Sequence, residues 1–160
     1  MTDESLVPPM FGAPWTSQVL SWSNSRGRLL LRRGEEIGVT VELQQCARGR
    51  LRNSYPVGAR DVEIRVFGAV DAEHLTDTLN AIVPAIRAAD PRCRKVVYSV
   101  DSNGAQRTPG SGLSTIAAAE SAGFRYVVDI DIAETELSLL VNEPAWVTEV
   151  DIDLNHVPGT

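Results

Sequence analysis

Apolar residues recur along this chain with a period of two over most of its length and with helical spacing in a few places, and that alternation predicts its elements. Leu29 to Leu31, then Gly34 with the acidic pair Glu35-Glu36, then Val39, Val41 and Leu43 alternating with Thr40, Glu42 and Gln44, read as a hairpin. After a loop containing Pro56 and Gly58, Val62, Ile64 and Val66 alternate with Glu63, Arg65 and Phe67 and predict a central strand. Asp71 is placed to cap a helix in which Leu75, Leu79, Ile82, Val83 and Ile86 form an apolar stripe. Pro84 removes a backbone donor inside it and is expected to kink or break its last turns, before Asp90-Pro91 ends it. In Lys95 to Val100, Val96, Tyr98 and Val100 share one face and Val97 lies on the other, as in a strand buried on both sides.

The run Ser114 to Ala122 predicts a short helix, with Ser114 as N-cap and Gly123 where a helix ends in the left-handed conformation. Beyond it, Tyr126, Val128, Ile130 and Ile132 alternate with Val127, Asp129 and Asp131. After Ala133-Glu134, Leu137, Leu139 and Val141 share a face, so these two runs predict an antiparallel hairpin. Near the N-terminus Trp15, Val19, Leu20 and Trp22 have spacing suited to one short helix. In the tail, Val147, Val150, Ile152 and Leu154 fit either an added edge strand or a disordered acidic tail.

Composition changes this picture little. With 160 residues, 43% of them hydrophobic, the chain suffices for one sizeable core, and no linker divides it. The expected division is an N-terminal extension over 1–27, the main domain over 28–146 and a strand or tail over 147–160. A net charge of −6 argues against nucleic acid and anionic membrane as partners of the whole molecule. The basic runs Arg26 to Arg33 and Arg48 to Arg52 read as solvated strand ends and loops. Cys46 and Cys93 are too few for a disulfide framework or a zinc site, so both read as reduced thiols and no metal is expected. Met1 to Pro9 has no continuous apolar core of a leader, and no run of eighteen apolar residues occurs, so the expected location is the cytoplasm.

The order strand, long helix, strand ending in Asp101-Ser102-Asn103, short helix with Ala118 and Glu120, Gly123-Phe124, and two final strands ending Leu139-Leu140-Val141-Asn142-Glu143-Pro144 resembles the GCN5-related N-acetyltransferase (GNAT) superfamily. The resemblance covers roughly residues 28 to 146 and implies an α+β fold, a mixed central sheet of six to seven strands flanked by helices. It also implies transfer of an acyl group from acetyl-CoA, or another acyl-CoA, to a small-molecule or protein amine.

Two positions depart from the family pattern. Members carry a glycine-rich loop after the central strand, whose backbone N–H groups hold the CoA pyrophosphate at a helix N-terminus. Here Gly68-Ala69-Val70-Asp71-Ala72-Glu73-His74 follows Phe67, with fewer glycines and two carboxylates. Members often carry a tyrosine acid four residues before the Gly of Gly-Phe, where this chain has Ala119.

Candidate cosubstrate-binding residues implied by the resemblance are Phe67, Gly68, Val70 and Asn103. Arg107, Gly110 and Gly112 are added because Arg107-Thr108-Pro109-Gly110-Ser111-Gly112 has the spacing of a pyrophosphate loop; as an insertion, its glycines would serve flexibility instead. Transfer also requires a base for the substrate ammonium. Glu63 and Glu42, on polar strand faces, and His74, whose imidazole titrates near neutral pH, are the candidates, each also readable as an ordinary surface or ion-paired group. Tyr98 and Tyr126 lie on apolar strand faces and are expected to pack in the core. Three readings follow: an acyltransferase, a GNAT-fold binding or regulatory module that has lost catalysis and dimerises through its final strands, and an unrelated α+β protein. A sheet without a splay between the strands at Val62 to Phe67 and Lys95 to Val100 would favour the last.

Overall fold

The computed structural model describes residues 5–35, 38–54, 56–67, 72–101, 111–132 and 134–143. One seven-stranded sheet runs through them: β1 Trp15–Trp22, β2 Arg26–Arg33, β3 Val39–Gln45, β4 Val62–Phe67, β5 Val96–Asp101, β6 Arg125–Ile132 and β7 Thr135–Asn142, in spatial order β1-β2-β3-β4-β5-β7-β6. Neighbours are antiparallel except for β4 and β5, which are parallel and joined by helix α1, Ala72–Ala89. Helix α2, Ser111–Ser121, joins β5 to the closing hairpin. The sheet is mixed and flanked by helices, as the α+β expectation required.

Both helices pack on one face. Leu75, Leu79, Ile82, Val83 and Ile86 of α1 and Ala118, Ala119 and Ala122 at α2 bury against Leu29, Leu31, Val41, Leu43, Ile64, Val66, Tyr98 and Leu140 of the sheet. The α1 stripe is the one its periodicity predicts, and Thr76 Oγ1 donates to Ala118 O at 2.9 Å, tying the helices together. Pro84 does not break α1. Pro84 and Asn80, whose carbonyl loses its partner at that point, are both exposed, so water can take the missing donor's place. At the end of α2, Gly123 has φ +92°, its N–H reaches Glu120 O at 3.0 Å and the Phe124 N–H reaches Ala119 O at 3.0 Å. That is a Schellman cap, which needs the left-handed residue that glycine supplies at least cost. The helix starts at Ser111, a turn ahead of the cap expected at Ser114.

The N-terminal segment departs from expectation. Trp15–Trp22 is a strand at the sheet edge, not a helix, paired from Trp15↔Arg33 to Trp22↔Gly27. A register shift between Val19 and Ser21 breaks its alternation, which is why the apolar spacing there imitates a helix. The Trp22 ring packs flat against Gly27, where a Cβ would run into the ring carbons, and its Nε1 donates to Leu6 O at 2.9 Å. A second shift, between Tyr126 and Val128, turns Tyr126 outward, so it is exposed rather than part of the core. The tail strand proposed over Val147 to Leu154 lies outside the described residues. Among the described residues, no helix is long and apolar enough to cross a membrane.

Candidate functional site

The parallel ladder of β4 and β5 is short. It pairs Val62↔Val96, Glu63↔Val97 and Ile64↔Tyr98 and stops there, although β4 continues to Phe67 and β5 to Asp101. Their outer sides stay paired throughout, β4 to β3 as far as Phe67↔Thr40 and β5 to β7 as far as Asp101↔Leu137. Two neighbouring strands held by opposite partners but no longer by each other splay, and the gap opens in the middle of the sheet at the strands' C-terminal ends. Ligands of open α/β sheets bind at such ends, and α1, which begins at Ala72, brings a positive N-terminal dipole to the same end.

Alternation places Glu63, Arg65 and Phe67 of β4 and Val97 and Ser99 of β5 on the face opposite the helices. Residues 46–54 and 56–61 cover part of this face, closing a second apolar cluster of Cys46, Leu51, Val97, Leu137, Leu139 and Val141. From that cover Arg50 reaches inward. Its Nε and Nη2 donate to Glu63 Oε2 at 3.2 and 2.8 Å, Ser99 Oγ donates to the same oxygen at 2.6 Å, and Arg50 Nη2 lies 3.2 Å from Ser99 Oγ. The Glu63 side chain is only 1% exposed, and a carboxylate so deep requires these charged and hydrogen-bonding partners. The three side chains bridge β4 and β5 at the vertex of the splay.

Beside them the face turns cationic. Glu42, also buried, receives Arg26 Nε at 2.9 Å and Arg28 Nη2 at 3.5 Å on Oε2, and Arg65 Nη1 at 3.1 Å on Oε1. The register Arg28↔Glu42↔Arg65 puts the carboxylate between two guanidinium groups on adjacent strands. Arg28 and Arg65 also lie over the Phe67 ring, 5.6 and 5.1 Å from its centre, in cation–π geometry.

The predicted residues are therefore distributed unevenly. Glu63, Glu42 and Phe67 share the open face near the splay. His74, half-buried in the second half of the first turn of α1, stands on the helix side of the sheet and is not brought to Glu63. Gly112 lies within α2, while Gly68, Val70, Asn103, Arg107 and Gly110 lie outside the described residues. Tyr98 is buried on the helix side, edge-on to Phe124 at 6.1 Å, and burial pushes its phenol up. Tyr126 stands in solvent; a hydrogen bond with Asp129 is the main cause raising its phenol. Both cysteines are buried free thiols: burial pushes Cys93 up to about 12 and moves Cys46 the same way. Sequence reasoning did not nominate Arg28, Arg50 and Arg65. The usable signal was the alternation that sets Arg28, Glu42 and Arg65 on polar strand faces. Among the described residues no cluster of His, Cys, Asp and Glu is arranged to hold a metal ion.

No protein-family model and no curated protein sequence matches the chain. Solved structures do. An uncharacterized protein from Bacillus halodurans superposes with a TM-score of 0.63 at 14% identity, covering 76% of this chain and 60% of its own. The acetyltransferase AAC(6')-Ib, solved with paromomycin and acetyl-CoA, gives 0.61 at 15% identity, covering 76% of this chain and 66% of its own. The fold is that of the GNAT acetyltransferases. A chimera of the Vibrio cholerae spermidine N-acetyltransferase SpeG and hSSAT gives 0.52 at 11% identity, covering 76% of this chain and 68% of its own. The chain thus spans under two thirds of the length of the first two structures. Identities this low establish the GNAT fold and leave the chemistry to this chain's own residues.

Proposed function

We propose that the chain is an acyl-CoA-dependent N-acyltransferase, moving an acetyl or other acyl group from acyl-CoA to a small-molecule or protein amine. The observation that carries this reading is the splay of β4 from β5 beyond Ile64↔Tyr98, in the centre of a GNAT-fold sheet. Such a gap admits a thin, extended chain such as pantetheine between two strands. The helix end at Ala72 suits a pyrophosphate held by Gly68 and Val70, with Arg107, Gly110 and Gly112 as the competing anion loop.

In the reaction, the amine nitrogen attacks the thioester carbonyl carbon. The C–N bond forms as the C–S bond breaks, the ammonium proton passes to a base, and the departing thiolate takes a proton. Glu63 is the base best placed at the splay. Its carboxylate is sealed from bulk solvent, so the proton reaches it through the Ser99 hydroxyl, 2.6 Å away, while Arg50 fixes both groups. Glu42, locked among three arginines, serves that cluster's geometry instead. With Ala119 at the usual acid position, the thiolate is protonated by water.

Calorimetric titration with acetyl-CoA and a thiol-release assay over a panel of amines test this. The expected outcome is saturable acetyl-CoA binding, with Glu63→Gln lowering kcat by about 100-fold, the usual contribution of a general base, at unchanged acetyl-CoA affinity. Absence of binding at millimolar acetyl-CoA would overturn the reading.

A second reading, a GNAT-fold binding or regulatory module without catalysis, is favoured by one observation. Ala119 is fully buried between the helices and the sheet, so the position of the usual tyrosine acid has been absorbed into the core. That reading predicts no thiol release with any amine.

A further inference from the structure

The open face of the sheet carries more positive than negative charge, in a chain whose net charge is −6. Among the described side chains, Arg26, Arg28, Arg50 and Arg65 converge there on the carboxylates of Glu42 and Glu63. The vertex pair is balanced, since Arg50 is matched by Glu63. The surplus lies one step along β4, where three guanidinium groups share Glu42. Each guanidinium has five N–H donors, and a carboxylate with two oxygens cannot use those of three arginines. Arg28 and Arg65 keep 45% and 34% of their side chains exposed, whereas Glu42 keeps 5%, so the donors rather than the acceptor face the solvent. Phe67 lies beneath both guanidinium groups and holds them in place. Arg65 is also the first β4 residue past the last β4–β5 pair, so the surplus borders the splay itself.

We infer that the acceptor amine carries an anionic group, a carboxylate or phosphate, bound by Arg28 and Arg65 with Phe67 beneath. This rests on the transferase reading and narrows its substrate class. Planar guanidinium forks match the oxygens of such groups, and charge-assisted bonds of this kind are the strong ones. The same surplus disfavours acceptors such as polyamines and aminoglycosides, whose ammonium groups would meet like charge. An anion at this place has two sources, the acceptor or the phosphates of the acyl-CoA, and the experiment separates them.

The probes are 4-aminobutyrate against n-butylamine, and glutarate as a non-reacting dicarboxylate, each at matched ionic strength. With acetyl-CoA saturating, 4-aminobutyrate is expected to be acetylated with kcat/KM at least about 10-fold above n-butylamine, the size of one charge-assisted hydrogen bond. Arg28→Gln and Arg65→Gln are expected to raise its KM by about 10-fold each, with kcat and acetyl-CoA affinity little changed, while Arg33→Gln, whose side chain pairs with Asp77 of α1, leaves KM unaltered. Loss of acetyl-CoA affinity in the Arg28 and Arg65 variants with unchanged amine KM would assign the patch to the cosubstrate's phosphates and overturn the inference. Equal or better use of n-butylamine or spermidine would overturn it while leaving the transferase reading intact. Without acetyl-CoA binding the transferase reading falls, and glutarate still tests the patch: stabilisation of the wild type lost in Arg28→Gln supports the anion site, and its absence overturns it.

Discussion

The two faces of the sheet solve different problems. The helix-covered face buries Leu29, Leu31, Leu43, Ile64, Leu79 and Ile82 with nothing ionised among them, and its geometry follows from volume. The opposite face buries Glu42 and Glu63 and surrounds them with arginines drawn from β2, β4 and the segment after β3. A carboxylate in so dry a place contributes less to stability than apolar residues of the same volume would, so this face holds charge at a cost in stability. Buried ionised groups cluster at functional sites, and these two lie beside the splay of β4 and β5.

Substitutions on each face test that difference. Leu79→Ala, on the helix-covered face, removes a fully buried side chain and is expected to cost about 2–5 kcal/mol in denaturant unfolding. Arg50→Ala, on the other face, strands Glu63 and is expected to cost about 3 kcal/mol, of which Glu63→Leu in the same chain restores a large part. Failure of that rescue would mean that the two faces are held by similar packing and that the ion pair is not the costly element. Gly27→Ala tests the β1 edge, where the new methyl meets the Trp22 ring; a loss of about 1–3 kcal/mol is expected in thermal unfolding.

At neutral pH the thiols have the smallest effect, and it appears only in alkaline solution. Burial holds Cys93 near 12 against an ordinary value of 9.0 and pushes Cys46 the same way, so the folded state binds protons that the unfolded state releases. Their contribution is complete below pH 9 and is lost as pH rises from there towards 12. Stability measured across that window should decline more steeply in the wild type than in Cys93→Ala.

The sequence revealed most of the fold because most elements announce themselves locally. The stripe of α1, the alternation of β4 and the glycine that ends α2 are each set by neighbours in the chain. Where local pattern and structure part, a bulge is usually responsible: register shifts at Val19/Ser21 and Tyr126/Val128 disguised β1 as a helix and turned Tyr126 outward. The candidate site was legible only in part. Polarity within an alternating strand marks Glu63 and Glu42, but their burial and their partners depend on pairing across β2, β3 and β4 and on where Arg50 returns from its loop. The splay was anticipated only through resemblance, since no residue type spells out where a parallel ladder stops.

An acyl-CoA held in the proposed gap between β4 and β5 would stabilise the folded chain. The most direct test is the melting temperature of the protein with and without acetyl-CoA, with free CoA and an adenine nucleotide as controls. At one hundred times the dissociation constant, binding stabilises by about 2.7 kcal/mol, a rise of roughly 5–10 °C for a chain of this size. Occupation of the gap by acyl-CoA is expected to give a rise with acetyl-CoA that exceeds the nucleotide's; an unchanged melting temperature at millimolar acetyl-CoA would rule that out.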